Sequence, residues 1–129
     1  MLKRIKNTNI LVHNYEDAVK FYTEKMGFEV HQNFPEQAWV SVIVPGNKEH
    51  IITFCLAEKE ADKALVGKQC GSYVLFILEV DDCAATREEW KENGVEFDGE
   101  MVTYGQGRFV IAKDLYGNKI FAGDSKFFK

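Results

Sequence analysis

Asn7 and Asn9 are separated by a single residue, and so are Thr53 and Cys55. In an extended strand, residues two apart point to the same face, so each pair offers its side chains to one surface. Amides and hydroxyls both donate and accept hydrogen bonds. That is the chemistry of holding a polar group rather than of moving a proton. Cys55 could add a nucleophile, but a thiol needs a base or cation nearby to become thiolate, and the sequence names none; otherwise it reads as a small buried hydrophobe. The histidines stand alone. His13 precedes a helix cap, His31 lies beside a strand and His50 comes before a hairpin strand, so all three read as surface imidazoles. The run Glu58, Glu60, Asp62 reads as a solvated connector. Gly105 and Gly107 join two strands and open no helix, which argues against a phosphate loop. Cys55, Cys70 and Cys83 are odd in number and lack metal-type spacing; they read as reduced thiols of a cytoplasmic protein.

The elements that position these residues occur twice. VHNYEDAVKFYTEKMGFEV starts at Val12 and VDDCAATREEWKENGVEF starts at Val80. Each copy predicts a strand, a capping Asn14 or Asp82, a short amphipathic helix, a Gly27 or Gly94 stop and a second strand. In the first copy the strand is expected over residues 2–12, the helix over 16–26 and the next strand over 28–33. A hairpin of 38–44 with 50–56 follows, turning at Pro45-Gly46-Asn47-Lys48. In the second copy the strand is expected over 72–80, the helix over 83–92 and a strand over 95–99. The last hairpin, 108–113 with 119–123, turns through residues 114–118. The reading is a single domain of 129 residues made of two βαβββ repeats, about 1–57 and 72–125, with a connector about 58–71.

The composition bounds the partners. Hydrophobic residues make up 46% and charged residues 28%, an ordinary mix for a chain with a packed core. A net charge of -4 argues against nucleic acid or an anionic membrane surface, since both reward basic patches. The sequence shows neither a signal-peptide pattern nor an apolar run of membrane-spanning length.

Four motifs carry a resemblance. V-x-[ND]-x-x-x-A-x-x-F-Y-x-x-x-x-G-F occupies residues 12–28 and D-x(11)-G-V residues 82–95. Y-G-x-G-R and D-x-x-G-N occupy 104–108 and 114–118. Together they resemble the vicinal oxygen chelate superfamily, which includes glyoxalase I, bleomycin-resistance proteins, fosfomycin-resistance enzymes and extradiol dioxygenases. Leu115 stands where the family's turn usually has Pro. The resemblance implies an α+β fold in which tandem βαβββ repeats build a curved mixed sheet around a concave small-molecule site, with helices on the convex side. It also implies four metal-ligand positions, which alignment places on Asn7, Thr53, Leu75 and Phe121. Leu and Phe carry no donor atom, and neutral Asn and Thr oxygens hold a divalent ion poorly without an anionic neighbour. A one-residue shift of any strand restores no ligand set.

The expected site is therefore an apolar bowl with two amides and a hydroxyl at one end: Asn7, Asn9, Thr53, Cys55, Leu75 and Phe121, with Ile77 beside Leu75. The expectation is a metal-independent binding protein of the bleomycin-resistance type, without cofactor, taking a small organic ligand and pairing as a homodimer. The alternative is a glyoxalase-like lyase, isomerase or transferase with a non-standard or metal-free active site. A third reading, a dimeric interaction module, would leave the bowl filled by its own side chains.

Overall fold

Every β-ladder among the described residues closes within one repeat. The computed structural model describes residues 1–128, and the chain divides into two compact units, the first ending at Val66 and the second starting at Gly67. Both are α+β, one holding a four-stranded and the other a five-stranded mixed sheet.

In the first unit the strands are β1 (Asn7–Val12), β2 (Glu29–Phe34), β3 (Trp39–Val44) and β4 (Asn47–Leu56), in the order β1-β4-β3-β2. β1 and β4 run parallel, and the other neighbours are antiparallel. Helix α1 (Tyr15–Lys20) starts where Asn14 Oδ1 accepts the Asp17 backbone N–H at 2.9 Å, satisfying a donor the first turn leaves orphaned. The α-helix then loosens into a π-helical turn, Phe21–Lys25, instead of running on to residue 26. The Thr23 hydroxyl donates back to the Val19 carbonyl at 2.7 Å, a competitor to regular helical bonding. Gly27 closes the turn at φ 91°, a conformation that costs other residues strain. Ile10, Val12, Val42, Ile52 and Phe54 are buried on the α1 side, around a fully buried Tyr22. The Tyr22 ring lies 5.3 Å from Phe54 and 5.5 Å from Phe28, at the tilted angles aromatic pairs prefer. The first strand is shorter than expected. Residues 2–6 precede it, and Leu2 and Ile5 are exposed there instead of being buried on the sheet. The connector contains one turn of helix, α2 (Glu60–Lys63).

In the second unit the strands are β5 (Val74–Val80), β6 (Glu96–Phe97), β7 (Val102–Tyr104), β8 (Gly107–Lys113) and β9 (Lys119–Asp124). β5 pairs parallel with β9, β9 antiparallel with β8, and β6 and β7 both pair with β8, one after the other along its length. The strand expected over 95–99 is thus only Glu96–Phe97, and β7 was not anticipated. Gly99 at φ 85° breaks what would otherwise be one edge strand. Helix α3 (Cys83–Glu92) matches its expected bounds. Asp82 Oδ1 accepts the Ala85 N–H at 3.0 Å. Gly94, at φ 90°, and Val95 return their N–H groups to the Lys91 and Trp90 carbonyls, a Schellman closure. Trp90 and Cys83 of α3 are buried, as are Val110, Ala112, Ile120 and Ala122 of β8 and β9.

Candidate functional site

The face of the first sheet turned away from Tyr22 carries a polar file across all four strands. Asn9 pairs with Thr53, Thr53 with Ser41 and Ser41 with Gln32. Directly paired residues in adjacent strands share a face, so four polar side chains stand side by side. Asn7 reaches into this file from one end: its Nδ2 donates to Asn9 Oδ1 at 2.9 Å and to Thr53 Oγ1 at 3.4 Å. Ser41 is 2% exposed, and its Oγ has no hydrogen-bond partner among the described residues. An unpaired buried hydroxyl costs about 1–3 kcal/mol, so it needs a reason.

An open cleft of about 470 Å³ lies over this face, lined by Lys6, Asn7, Asn9, His31, Gln32, Trp39, Ile51 and Thr53. Regular alternation would send His31 and Gln32 to opposite faces. They line the same cleft because the β2–β3 ladder passes from Val30↔Val42 directly to Gln32↔Ser41, leaving His31 as the extra residue of a β-bulge. Bulges re-aim side chains, and this one adds an imidazole to the rim. Trp39, 56% exposed, presents an indole at the same mouth. His31, read from sequence as a surface imidazole, and Gln32, Trp39 and Lys6 were not among the expected ligand-binding residues. The bulge that brings in His31 is a choice of register and leaves no residue-type signal, whereas an exposed Trp within a predicted strand was a readable cue.

Of the six expected ligand-binding residues, Asn7, Asn9 and Thr53 come together in this cleft. Cys55 lies one step further along β4, half-buried and opposite Leu11. Burial pushes its thiol above the ordinary range, toward the protonated form and away from the reactive one. Leu75 and Phe121 belong to the second unit. Leu75 sits at a register break, where Val74↔Lys119 is followed by Phe76↔Ile120, so the residue paired with Phe121 is Ile77. Phe121 is stacked on Phe109, with ring centroids 4.6 Å apart and planes 18° apart, and Phe127 lies 5.3 Å from both rings.

The donors at the four positions that would hold a metal decide whether an ion fits. In the first unit, Asn7 spends its amide N–H on Asn9 and Thr53, and neither Asn7 nor Thr53 offers an anionic oxygen. In the second, Leu75 and Phe121 have no donor, and the Phe121 ring is packed against other rings. These residues do not fit a divalent ion.

A capped helix and its mixed sheet, repeated twice along the chain, with a small cleft on the open face of the first, define a protein class. The chain belongs to the Glyoxalase/Bleomycin resistance protein/Dioxygenase superfamily, whose family model matches residues 4–121. Among its relatives is the uncharacterized protein YetH of Bacillus subtilis (strain 168), 31% identical over 92% of this chain and 95% of that one. Among solved structures, UcmS2 superposes with a TM-score of 0.83 at 28% identity, over 97% of this chain and 100% of that one. TnmS3, an antibiotic binding protein from Streptomyces sp. CB03234, superposes with a TM-score of 0.76 at 23% identity, over 95% of this chain and 96% of that one, a likeness of fold. Among the described residues no helix is long and apolar enough to cross a membrane.

Proposed function

We propose that this protein binds a small organic molecule in the cleft of its first unit, without a metal and without turning it over. The observation that carries this reading is the set of polar side chains Asn7, Asn9, Thr53 and Gln32 gathered in one cleft beside the exposed Trp39 indole. Such a surface suits a flat ligand with one or two polar groups: the ring would lie against Trp39, and the oxygens would exchange hydrogen bonds with Asn7, Asn9 and Thr53. The antibiotic-binding role of TnmS3, a neighbour in fold, supports sequestration as the kind of activity. Burial favours the neutral Cys55 thiol, which counts against the version of the enzyme reading that uses Cys55 as its nucleophile.

Hydroxylated bicyclic aromatics, naphthols and hydroxyquinolines, test the reading. Saturable quenching of Trp39 fluorescence, shifted to higher ligand concentration in Asn7→Ala, is the expected result; Trp90 is buried in α3 and serves as an internal reference. The ligand should be recovered unchanged after prolonged incubation. Elemental analysis after dialysis should find less than about one-tenth of a divalent ion per chain, because neutral oxygens hold such ions poorly. Stoichiometric metal, or chemical conversion of the bound molecule, would overturn the proposal. We also propose that the chain works as a homodimer in a single continuous domain. Exposed strand edges and the exposed Phe34 on β2, the edge strand of the first sheet, favour self-association. Sedimentation should give about twice 14.8 kDa.

A further inference from the structure

Two residues that line the first-unit cleft escape strand alternation, and both carry nitrogen donors. Lys6 and Asn7 are neighbours in the chain, and regular alternation would send them to opposite faces. Lys6 stands just before β1, outside that constraint, and lines the same cleft as Asn7. Its backbone is nonetheless tied to the sheet, because its carbonyl accepts the Ile51 N–H at 3.0 Å. The flexible four-carbon stem then carries the ammonium from a fixed root. His31 enters through the bulge in β2. Lys6 brings a full positive charge, and His31 has a ring N–H to donate in either tautomer.

Nothing acidic offsets them. The chain has 20 Asp and Glu residues, yet among the described residues no carboxylate lines this cleft. Glu49, two residues from Ile51, lies 3.2 Å from the Arg4 guanidinium. Glu29, two residues from His31, accepts the Gly46 N–H at 2.9 Å. The neutral groups lean the same way. Asn7 gives its amide N–H to Asn9 Oδ1 and Thr53 Oγ1, so two of the cleft's acceptors are already engaged. The cleft is thus weighted toward donors and toward positive charge, with Trp39 and Ile51 as its apolar part.

We propose that the first-unit cleft selects a flat anion, an aryl carboxylate, and that Lys6 and His31 set this preference. The inference rests on the binding reading above and adds to it the charge of the ligand. The aryl body lies against Trp39 while the carboxylate takes donors from Lys6 and His31, and charge-assisted hydrogen bonds are roughly twice as strong as neutral ones. One ammonium and one imidazole match a single negative charge. A phosphate dianion calls for more, and among the described residues no arginine lines the cleft. The rest of the protein opposes the preference, because a net charge of -4 repels an anion on average. At physiological salt, exposed charges more than about 8 Å away are largely screened. A preference for the anion therefore has to arise inside the cleft, since overall charge acts with the opposite sign.

Ligands of one shape and different charge test it: 2-naphthoate, neutral 2-naphthamide and cationic 2-naphthylmethylammonium. Each is titrated into the full chain and followed by NMR at the Trp39 indole N–H, in about 0.15 M salt. Naphthoate should bind at least about threefold more tightly than naphthamide, and the ammonium compound most weakly. Lys6 is exposed, so its replacement spares the fold. Lys6→Met keeps the apolar stem and removes the charge; it should weaken naphthoate and leave naphthamide within about twofold. Adding His31→Gln should erase what preference remains. Lys91→Met, in the last turn of α3, changes the net charge equally and should leave the preference intact. Equal affinities for naphthoate and naphthamide, or a preference that survives the Lys6→Met, His31→Gln double change, overturn this inference and leave the binding reading standing. If none of the ligands saturates, both fall.

Discussion

Ser41 and Thr53 are direct partners on the β3–β4 ladder, yet only the Thr53 hydroxyl is engaged: it accepts from Asn7 at 3.4 Å, while Ser41 Oγ is buried and unpaired among the described residues. Removing the Ser41 hydroxyl should therefore cost the fold nothing. Ser41→Ala is expected to leave stability unchanged or raise it by up to about 1 kcal/mol, since an unsatisfied buried group disappears. Urea unfolding checks this; destabilisation by more than about 1 kcal/mol would mean that Ser41 already has an unseen partner, such as an ordered water.

Asn7 is exposed, so its replacement should separate binding from folding. Asn7→Ala is expected to weaken ligand binding by about 1–3 kcal/mol, and to change stability by no more than about 0.5 kcal/mol. Fluorescence titration at Trp39 and a thermal melt measure the two effects. Equal losses in both would assign Asn7 to the fold.

Asp114 organises the turn between β8 and β9. Its carboxylate accepts the Tyr116 N–H, the Asn118 N–H and the Asn118 side-chain amide, each at 2.9 Å, with Asp114 and Asn118 both buried. Asp114→Ala leaves those donors without their acceptor and should cost about 2–4 kcal/mol in denaturant unfolding. Asp114→Asn retains part of the network and should cost roughly half as much. A loss below about 1 kcal/mol for Asp114→Ala would show that water replaces the carboxylate freely.

Cys83 sets a slope on the alkaline side. It is 1% exposed, and burial first, then the Asp124 and Asp82 carboxylates, push its thiol above the ordinary value of 9.0. Below that value the thiol keeps its proton in both folded and unfolded chains and stability does not depend on it. As pH rises past 9.0 the unfolded thiol ionises while the folded one does not, so the unfolded state gains and stability falls. Cys55, also raised, acts in the same direction. Urea midpoints measured from about pH 8 to about pH 10.5 should therefore fall less steeply in Cys83→Ala than in the wild type. Parallel curves would sink this account.

What was readable in the sequence was local chemistry. Asn14 and Asp82 are caps because a short side-chain oxygen reaches the next turn's N–H, and Gly27 and Gly94 stop their helices because positive φ suits glycine. Asn7, Asn9 and Thr53 were found for the same reason, since alternation is a property of the strand itself. The π-helical turn at Phe21, the bulge at His31 and the register break at Leu75 depend on how one segment meets another. No pattern within the segment distinguishes a bulge from a regular strand. The contact of Phe127 with Gly107 and Gly123 is less legible still, because it joins a residue beyond β9 to two glycines on separate strands, and only the folded sheet brings them together.

The closure of every described ladder within its own repeat bears on how the chain folds. The longest-range pairing in the first sheet is β1 with β4, and in the second β5 with β9, so no strand waits for a partner more than about half the chain away. The entropy of closing a loop grows with loop length, and topology of this kind sets folding speed more than stability does. Each repeat is thus equipped to act as its own kinetic nucleus. During synthesis, the first can complete all its hydrogen-bonded ladders while the residues of the second are still being added.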